Sequence, residues 1–205
     1  MNRLKNYSKV VYDAQIIVYY SFQYEKYKLT GRTTKTRDLT QFLTNHGIKI
    51  CVPSFIIDEI NHKSIPKIVN EYVEDKRKPI LEWPPKPSYG LILRLTDKVK
   101  ANFENLQKKK YFNVLDYSPD EKSFKSMKLF FKNFNDKEKI KEFLTLKNTK
   151  KLSPSDEDMT LILFARDITA PLISNDWDIT FFAEELVTNK LAYTIVNFKD
   201  ISYPN

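Results

Sequence analysis

Short β-prone segments alternate with helix-forming segments along this chain, and that alternation constrains the fold more than any other feature. The clearest example is KVVY at residues 9–12, which ends at Asp13 and precedes a helix-compatible apolar spacing over residues 14–27. The same patterns predict strands at 48–52, 170–174 and 192–196, and helices at 38–45, from Ser54, at 91–110, at 120–146, from Asp156 and at 181–186. Strands that alternate with helices form parallel sheets covered by helices. We therefore expect an α/β fold, a three-layer α/β/α sandwich around a central, mostly parallel sheet.

Residues 63–150 interrupt this alternation with a lysine-rich segment. Four prolines within residues 76–89 exclude a continuous helix there. The two helices predicted after them carry several phenylalanines, which we expect to pack on an inner face. A chain of 205 residues fits a single domain. We therefore predict one domain over residues 1–205, with 63–150 as a helical insertion or extension.

Composition excludes several classes of protein. The only three glycines, Gly31, Gly47 and Gly90, are too far apart for a dinucleotide-binding or Walker loop. The single cysteine, Cys51, excludes intrachain disulfides and cysteine-rich zinc sites, and we expect it to be buried in a strand. The sequence has neither the apolar stretch of a signal peptide nor a segment long enough to span a membrane. We expect a cytoplasmic protein with no membrane partner.

The net charge of +8 is distributed unevenly along the chain. Residues 152–205 carry three basic and nine acidic residues, a balance of −6, so residues 1–151 carry +14. A basic surface attracts polyanions and releases their counterions, which makes nucleic acid the first candidate partner. Acidic residues in such a protein would repel a polyanion unless they were neutralised. Bound Mg²⁺ or Mn²⁺ would neutralise them and bridge to phosphate oxygens.

Acidic residues occupy the positions where an α/β sheet of this kind places its ligand site, beyond the carboxyl ends of the strands. Asp13 and Asp176 follow two predicted strands, and Glu59 lies on the helix after a third. Asp158 begins the helix that leads into the strand before Asp176. Glu59 lies among isoleucines, where a carboxylate is costly unless it is paired or binds a metal. If these strands are neighbours, four carboxylates converge into an oxygen-ligand site of the kind that Mg²⁺ and Mn²⁺ prefer.

Several of these acids also have local explanations. Asp158 follows Ser155 by three residues and could only complete a helix capping box. Asp156 could only favour the helix dipole. Asp176 and Asp178 could be ordinary turn residues after a strand. Taken together, however, the acids favour a site.

Four segments in a fixed order, VVYDA, VPSFIIDEI, SPSDEDMTLILFA and LISNDWDITFF, resemble the PIN-domain ribonucleases. In that family a first-strand Asp, a Glu on a later helix, an Asp at a helix start and an Asp after a strand bind divalent metal. The resemblance implies that the catalytic metal ligands are Asp13, Glu59, Asp158 and Asp176, with Asp156 as the alternate for Asp158. It also implies that Asp178 is an accessory metal ligand, and that either Ser174 or Asn175 orients the neighbouring carboxylate.

The resemblance implies a metal-dependent nuclease that hydrolyses phosphodiester bonds, with RNA favoured over DNA as substrate and Mg²⁺ or Mn²⁺ as cofactor. Endonucleolytic action is expected, and the lysines of residues 63–151 would bind the phosphate backbone. One alternative is a catalytically silent PIN-like scaffold that binds nucleic acid. Others are the toxin of a toxin-antitoxin pair, with an antitoxin-like protein partner, and a metal-dependent phosphatase for small phosphoesters. A homodimer is compatible with each of these.

Overall fold

A computed structural model describes residues 1–30, 35–62, 89–147 and 152–201, with the side chains of all of these except 23–30, 62, 89–92 and 95. The strands are β1 (Lys9–Tyr12), β2 (Lys49–Pro53), β3 (Phe112–Leu115), β4 (Leu172–Ser174) and β5 (Ile195–Asn197). The helices are α1 (Ala14–Thr30), α2 (Lys35–Asn45), α3 (Ser54–His62), α4 (Tyr89–Gln107), α5 (Glu121–Asn133), α6 (Lys137–Lys147), α7 (Asp156–Asp167), α8 (Trp177–Thr180) and α9 (Ala183–Thr188). Short 3₁₀ helices cover Asn2–Asn6 and Phe198–Asp200.

The five strands form a parallel sheet in the order β3-β2-β1-β4-β5, flanked by helices. Ile50 of β2 lies opposite Phe112 of β3, and Leu172 of β4 lies opposite Ile195 of β5, both in parallel register. The order is not that of the chain, so helical crossovers connect the strands. The predicted α/β class and parallel sheet are confirmed, and the architecture is consistent with a three-layer sandwich.

The central strands are continuous apolar runs, without alternating polar residues, because both faces of the sheet are covered. Val10, Val11 and Tyr12 are all fully buried in β1, as are Ile50 and Val52 in β2. A parallel sheet covered on both faces selects such runs. Cys51 is buried among them, as predicted. No helix in the described ranges is long and apolar enough to cross a membrane.

The middle of the chain differs in part from its prediction. Helices α4, α5 and α6 confirm its helical character, but the predicted helix over 120–146 is broken at residues 134–136. Strand β3 was missed, and it pairs with β2 at one edge of the sheet. The expected inward packing of phenylalanines is confirmed by Phe131 and Phe143, whose ring centroids lie 5.3 and 5.0 Å from that of Phe182. The predicted proline-rich loop lies outside the described residues except for Tyr89.

The chain divides into two compact units. The first unit comprises Met1–Ser8 and Tyr12–Asp116, and its helix α1 packs against α2, α3 and α4. The second unit comprises Lys9–Val11 and Tyr117–Asn205, and its helix α5 packs against α7. The single domain over residues 1–205 stays a prediction.

Three helices of the structure end in the same way before a strand. At each end one residue has a left-handed φ, between 55° and 68°, and its N–H donates to the carbonyl three residues back. The N–H of the next residue donates to the carbonyl five residues back, and that next residue is buried. This is the Schellman motif. The left-handed residues are Gly47, Thr169 and Lys190, and the buried residues after them are Ile48, Ala170 and Leu191.

We expect Gly47→Ala to lower the free energy of unfolding by about 1 kcal/mol, because L side chains disfavour this φ. A Cβ at Gly47 would meet nothing within 4 Å, so backbone strain alone sets the loss. Thr169→Gly makes the opposite change in the same motif, and we expect it to leave the protein as stable or more stable. Urea unfolding of the three proteins measures both effects. Equal losses for both variants would contradict this account of the helix ends.

Candidate functional site

Helix α7 begins with a complete capping box. The backbone N–H of Asp158 donates to Ser155 Oγ at 3.0 Å. In return, Asp158 Oδ2 accepts from the Ser155 backbone N–H at 3.1 Å and from its hydroxyl at 2.8 Å. The local explanation for Asp158 is therefore correct. Both bonds end on Oδ2, so capping leaves Oδ1 to take another ligand.

The turn after β4 is held by a second set of hydrogen bonds. The backbone N–H of Asp176 donates to Oγ of the fully buried Ser174 at 2.9 Å. Asp176 then caps α8, where its Oδ1 accepts the backbone N–H of Asp178 at 2.8 Å. Asn175 lies half-buried in the same turn. Ser174 thus fixes the backbone that carries the Asp176 carboxylate.

Asp158, Asp176 and Asp178 form an electrostatic group within the second unit. Burial, and then the charges of Asp176 and Asp178, raise the pKa of Asp158, although the Ser155 hydrogen bonds oppose the shift. The pKa of such a carboxyl group is higher in the folded protein than in the unfolded chain. The free energy of unfolding therefore falls as pH rises through the pKa that the group has in the unfolded chain. Ionisation of Asp158 therefore costs the folded protein stability relative to the unfolded chain. A bound cation would relieve that cost.

Asp156, the alternate helix-start ligand, has a different environment. Its side chain is exposed, and Oδ2 accepts a hydrogen bond from Lys128 Nζ of α5 at 2.9 Å. An exposed ion pair of this kind contributes little to stability. The group of neighbouring acids is therefore built around Asp158, while Asp156 faces a lysine.

The other two predicted ligands, Asp13 and Glu59, belong to the first unit. Asp13 directly follows β1 and is only 6% exposed, and its backbone oxygen accepts the N–H of Ile16 at the start of α1. Glu59 is half-buried on α3, next to the buried Ile60. Both carboxylates lie in the apolar sequence context that made them candidates.

The chemistry of these donors suits a hard divalent cation. All of the candidates are carboxylates, and carboxylate oxygens are the ligands that Mg²⁺ and Mn²⁺ prefer. Across the described ranges, no group of three or more His, Cys, Asp or Glu side chains is already arranged to hold a metal ion. The type of donor therefore fits such a metal.

Trp177 is a neighbour of these acids that the motif comparison did not single out. It lies between Asp176 and Asp178, is 37% exposed, and its ring centroid is 4.7 Å from that of Phe181. Exposed aromatic rings provide stacking surfaces for nucleic-acid bases. The available signal was its position, an aromatic residue between two acids directly after a strand.

Replacing Ser155 by Ala removes the hydroxyl from the capping box of α7. We expect Ser155→Ala to lower the free energy of unfolding by about 1 kcal/mol, which corresponds to about 2–4 °C in Tm. Ser155→Thr keeps the hydroxyl and serves as the matched control, with an unfolding temperature close to that of the natural protein. Thermal unfolding by circular dichroism measures both variants. An Ala variant as stable as the Thr variant would contradict the role of the capping box.

Comparisons with known proteins assign no family to the chain. No protein-family model matches it. No curated protein matches it either. Among solved structures, it is similar to a chain in the crystal structure of VapBC2 from Rickettsia felis bound to a DNA fragment from their promoter, with a TM-score of 0.40 and 10% identity over 92% of this chain and 98% of that one. A likeness of this degree carries no argument about fold or function.

Proposed function

We propose that this protein is a divalent-metal-dependent nuclease of the PIN type that hydrolyses phosphodiester bonds of RNA. The observation that carries the proposal is the environment of Asp158 in the second unit. Its carboxyl group is partly buried next to Asp176 and Asp178, and its pKa is raised by that burial and by their charges. A partly buried carboxyl group with a raised pKa and two acidic neighbours is typical of a functional site.

We propose that Asp158, Asp176 and Asp178 hold the metal in the second unit. Asp13 and Glu59, the other two ligands that the family resemblance implies, belong to the first unit. Bound Mg²⁺ or Mn²⁺ supplies an activated water and neutralises charge on phosphate oxygens. Ser155 and Ser174 act as positioning residues, because each holds the backbone or the carboxylate of a proposed ligand.

The surroundings of the acids support a polyanionic substrate. Helix α5 carries Lys128 and Lys132, which line a cavity of about 380 Å³ together with Asp156 and Met159 of α7. These lysines belong to the same unit as Asp158 and would bind phosphates without reading sequence. Trp177 would offer its exposed ring to a base of the substrate. A phosphatase for small phosphoesters has no need of such a surface.

The test is cleavage of labelled single-stranded RNA, structured RNA and DNA in Mn²⁺, Mg²⁺ or EDTA, with the natural protein and Asp176→Asn. Asn caps a helix about as well as Asp, so this variant removes a charge and keeps the cap of α8. We expect metal-dependent cleavage of RNA by the natural protein. In the variant we expect a loss of about 100-fold or more, because a metal ion supplies several kcal/mol of transition-state stabilisation.

Asp156→Asn is the matched control, since it removes the same charge from the first turn of α7 but only disturbs the exposed contact with Lys128. We expect it to retain near-natural activity. RNA binding without cleavage by the natural protein, in every metal, would instead favour the silent scaffold. Hydrolysis of a small chromogenic phosphoester, but not of RNA, would favour the phosphatase. Equal loss of activity in both variants would contradict the assignment of the ligands.

A further inference from the structure

The first unit contains a polar cavity of about 570 Å³ that none of the proposed metal ligands lines. Three helices and the turn before β3 form its walls. Its volume lies within the range of small-molecule binding sites. The lining residues are Tyr20, Arg37, Thr40, Gln41, Thr44, Asn102, Asn105, Leu106, Lys109 and Tyr111.

The charged residues that line this cavity are all basic. It contains two cations, Arg37 and Lys109, and no carboxylate. Hydroxyl groups of threonine and tyrosine and the amides of asparagine and glutamine make up nearly all of the rest. In a protein with 26 acidic residues, a cavity with cations, neutral donors and no acid suits an anionic ligand. A phosphate group accepts hydrogen bonds from all of these donors.

Hydrogen bonds between the elements hold the walls in place. Asn102 of α4 donates through Nδ2 to the backbone oxygen of Ser21 in α1 at 3.0 Å. Thr40 of α2 pairs with the hydroxyl of Tyr12, at the end of β1, at 3.1 Å. The backbone oxygen of Tyr111 accepts the N–H of Ile50 in β2 at 2.7 Å. The cavity is therefore built on fixed elements, which lowers the cost of ordering it around a ligand.

Groups that recognise a base are also present. The side chains of Tyr20 and Tyr111 are joined by a hydrogen bond, and burial raises the pKa of Tyr111, so its phenol stays neutral. Aromatic rings can stack on bases. Gln41 and Asn105 each offer an amide that both donates and accepts hydrogen bonds, as the edges of bases require.

We infer that this cavity binds a nucleoside monophosphate unit, with Arg37 and Lys109 on the phosphate and the tyrosines and amides around the base. The unit is either a free nucleotide or one nucleotide of an RNA chain, since both present the same groups. The inference does not rest on the proposed nuclease activity. In the first unit the cavity residues Thr44 and Tyr111 come before strands β2 and β3, whereas Glu59 follows the carboxyl end of β2.

The experiment is isothermal titration calorimetry of the full chain in EDTA, which prevents metal-dependent cleavage. The ligands are the four ribonucleoside monophosphates, adenosine, inorganic phosphate and a single-stranded RNA hexamer. We expect at least one monophosphate or the hexamer to bind, and to bind more tightly than phosphate or adenosine alone. Binding of the monophosphates identifies a free nucleotide as the ligand, and binding of the hexamer alone identifies RNA.

Neighbouring lysines provide the matched controls. Lys109→Gln removes a cation of the lining, and we expect it to weaken binding about 10-fold or more. Lys108→Gln and Lys110→Gln remove the same charge from exposed positions outside the lining, and we expect both to bind as the natural protein does. Lys109 is itself exposed, so its variant should fold normally, and Arg37→Gln repeats the test on the second cation.

Three results would overturn the inference. One is the absence of binding to every monophosphate and to the hexamer. Another is equal weakening by all three lysine variants, because that would indicate general electrostatic attraction. The third is inorganic phosphate that binds as tightly as the best nucleotide, because the cavity would then be a simple anion site. None of these results bears on the cleavage test, which uses different residues and a metal.

Discussion

All strands of a parallel sheet run in the same direction, so the chain must return to the end of the sheet where the strands begin before each new strand. The rest of this structure depends on that requirement. Each returning helix must end abruptly and turn its chain into the sheet. The Schellman motifs at Gly47, Thr169 and Lys190 make that turn, and each places a buried residue directly after it. Two of the three left-handed positions are not glycine, so the chain carries strain there that the packing of the next strand must offset.

The same geometry brings together acids that are distant in sequence. Helix α7 leads into β4 through a tight turn, so the start of the helix and the end of the strand lie near the same edge of the sheet. Asp158 is at the first of these positions and Asp176 at the second. Each has a structural role as part of a helix cap, and the capping bonds that the Asp158 carboxylate accepts fall on Oδ2 alone. Local and functional explanations are therefore compatible for both residues.

Some of this could be predicted from sequence and some could not, for physical reasons. The segment KVVY reads clearly as a strand because β1 is buried on both faces, whereas FNVL of β3 is short and its Val114 and Leu115 are partly exposed. The break between α5 and α6 was missed because Phe134 continues the apolar spacing, although Asp136 accepts the N–H of Lys139 at the new helix start. The contact of Lys128 with Asp156 joins two helices across 28 residues, and no local pattern encodes it.

The cavity of the first unit could not be predicted for a related reason. Its lining comes from α1, α2, α4 and the turn before β3. Residues 37, 40, 41 and 44 follow helical spacing, but no pattern in the sequence shows that these separate elements line one cavity. The acids were predictable because each follows a strand or starts a helix, and such positions can be located from apolar runs alone. A site at the ends of helices and strands is thus easier to predict from sequence than a site on the sides of several helices.

The central proposal is that the acids of the second unit bind a cation, and thermal unfolding of the natural protein and Asp158→Asn with and without Mn²⁺ tests it most directly. Asn keeps an acceptor for the Ser155 N–H and removes one charge from the group. Without metal, we predict a variant at least as stable as the natural protein. With Mn²⁺ at about 100 times its Kd, we predict that only the natural protein gains, by about 5–10 °C. An equal gain in both proteins, or none in either, would contradict the account.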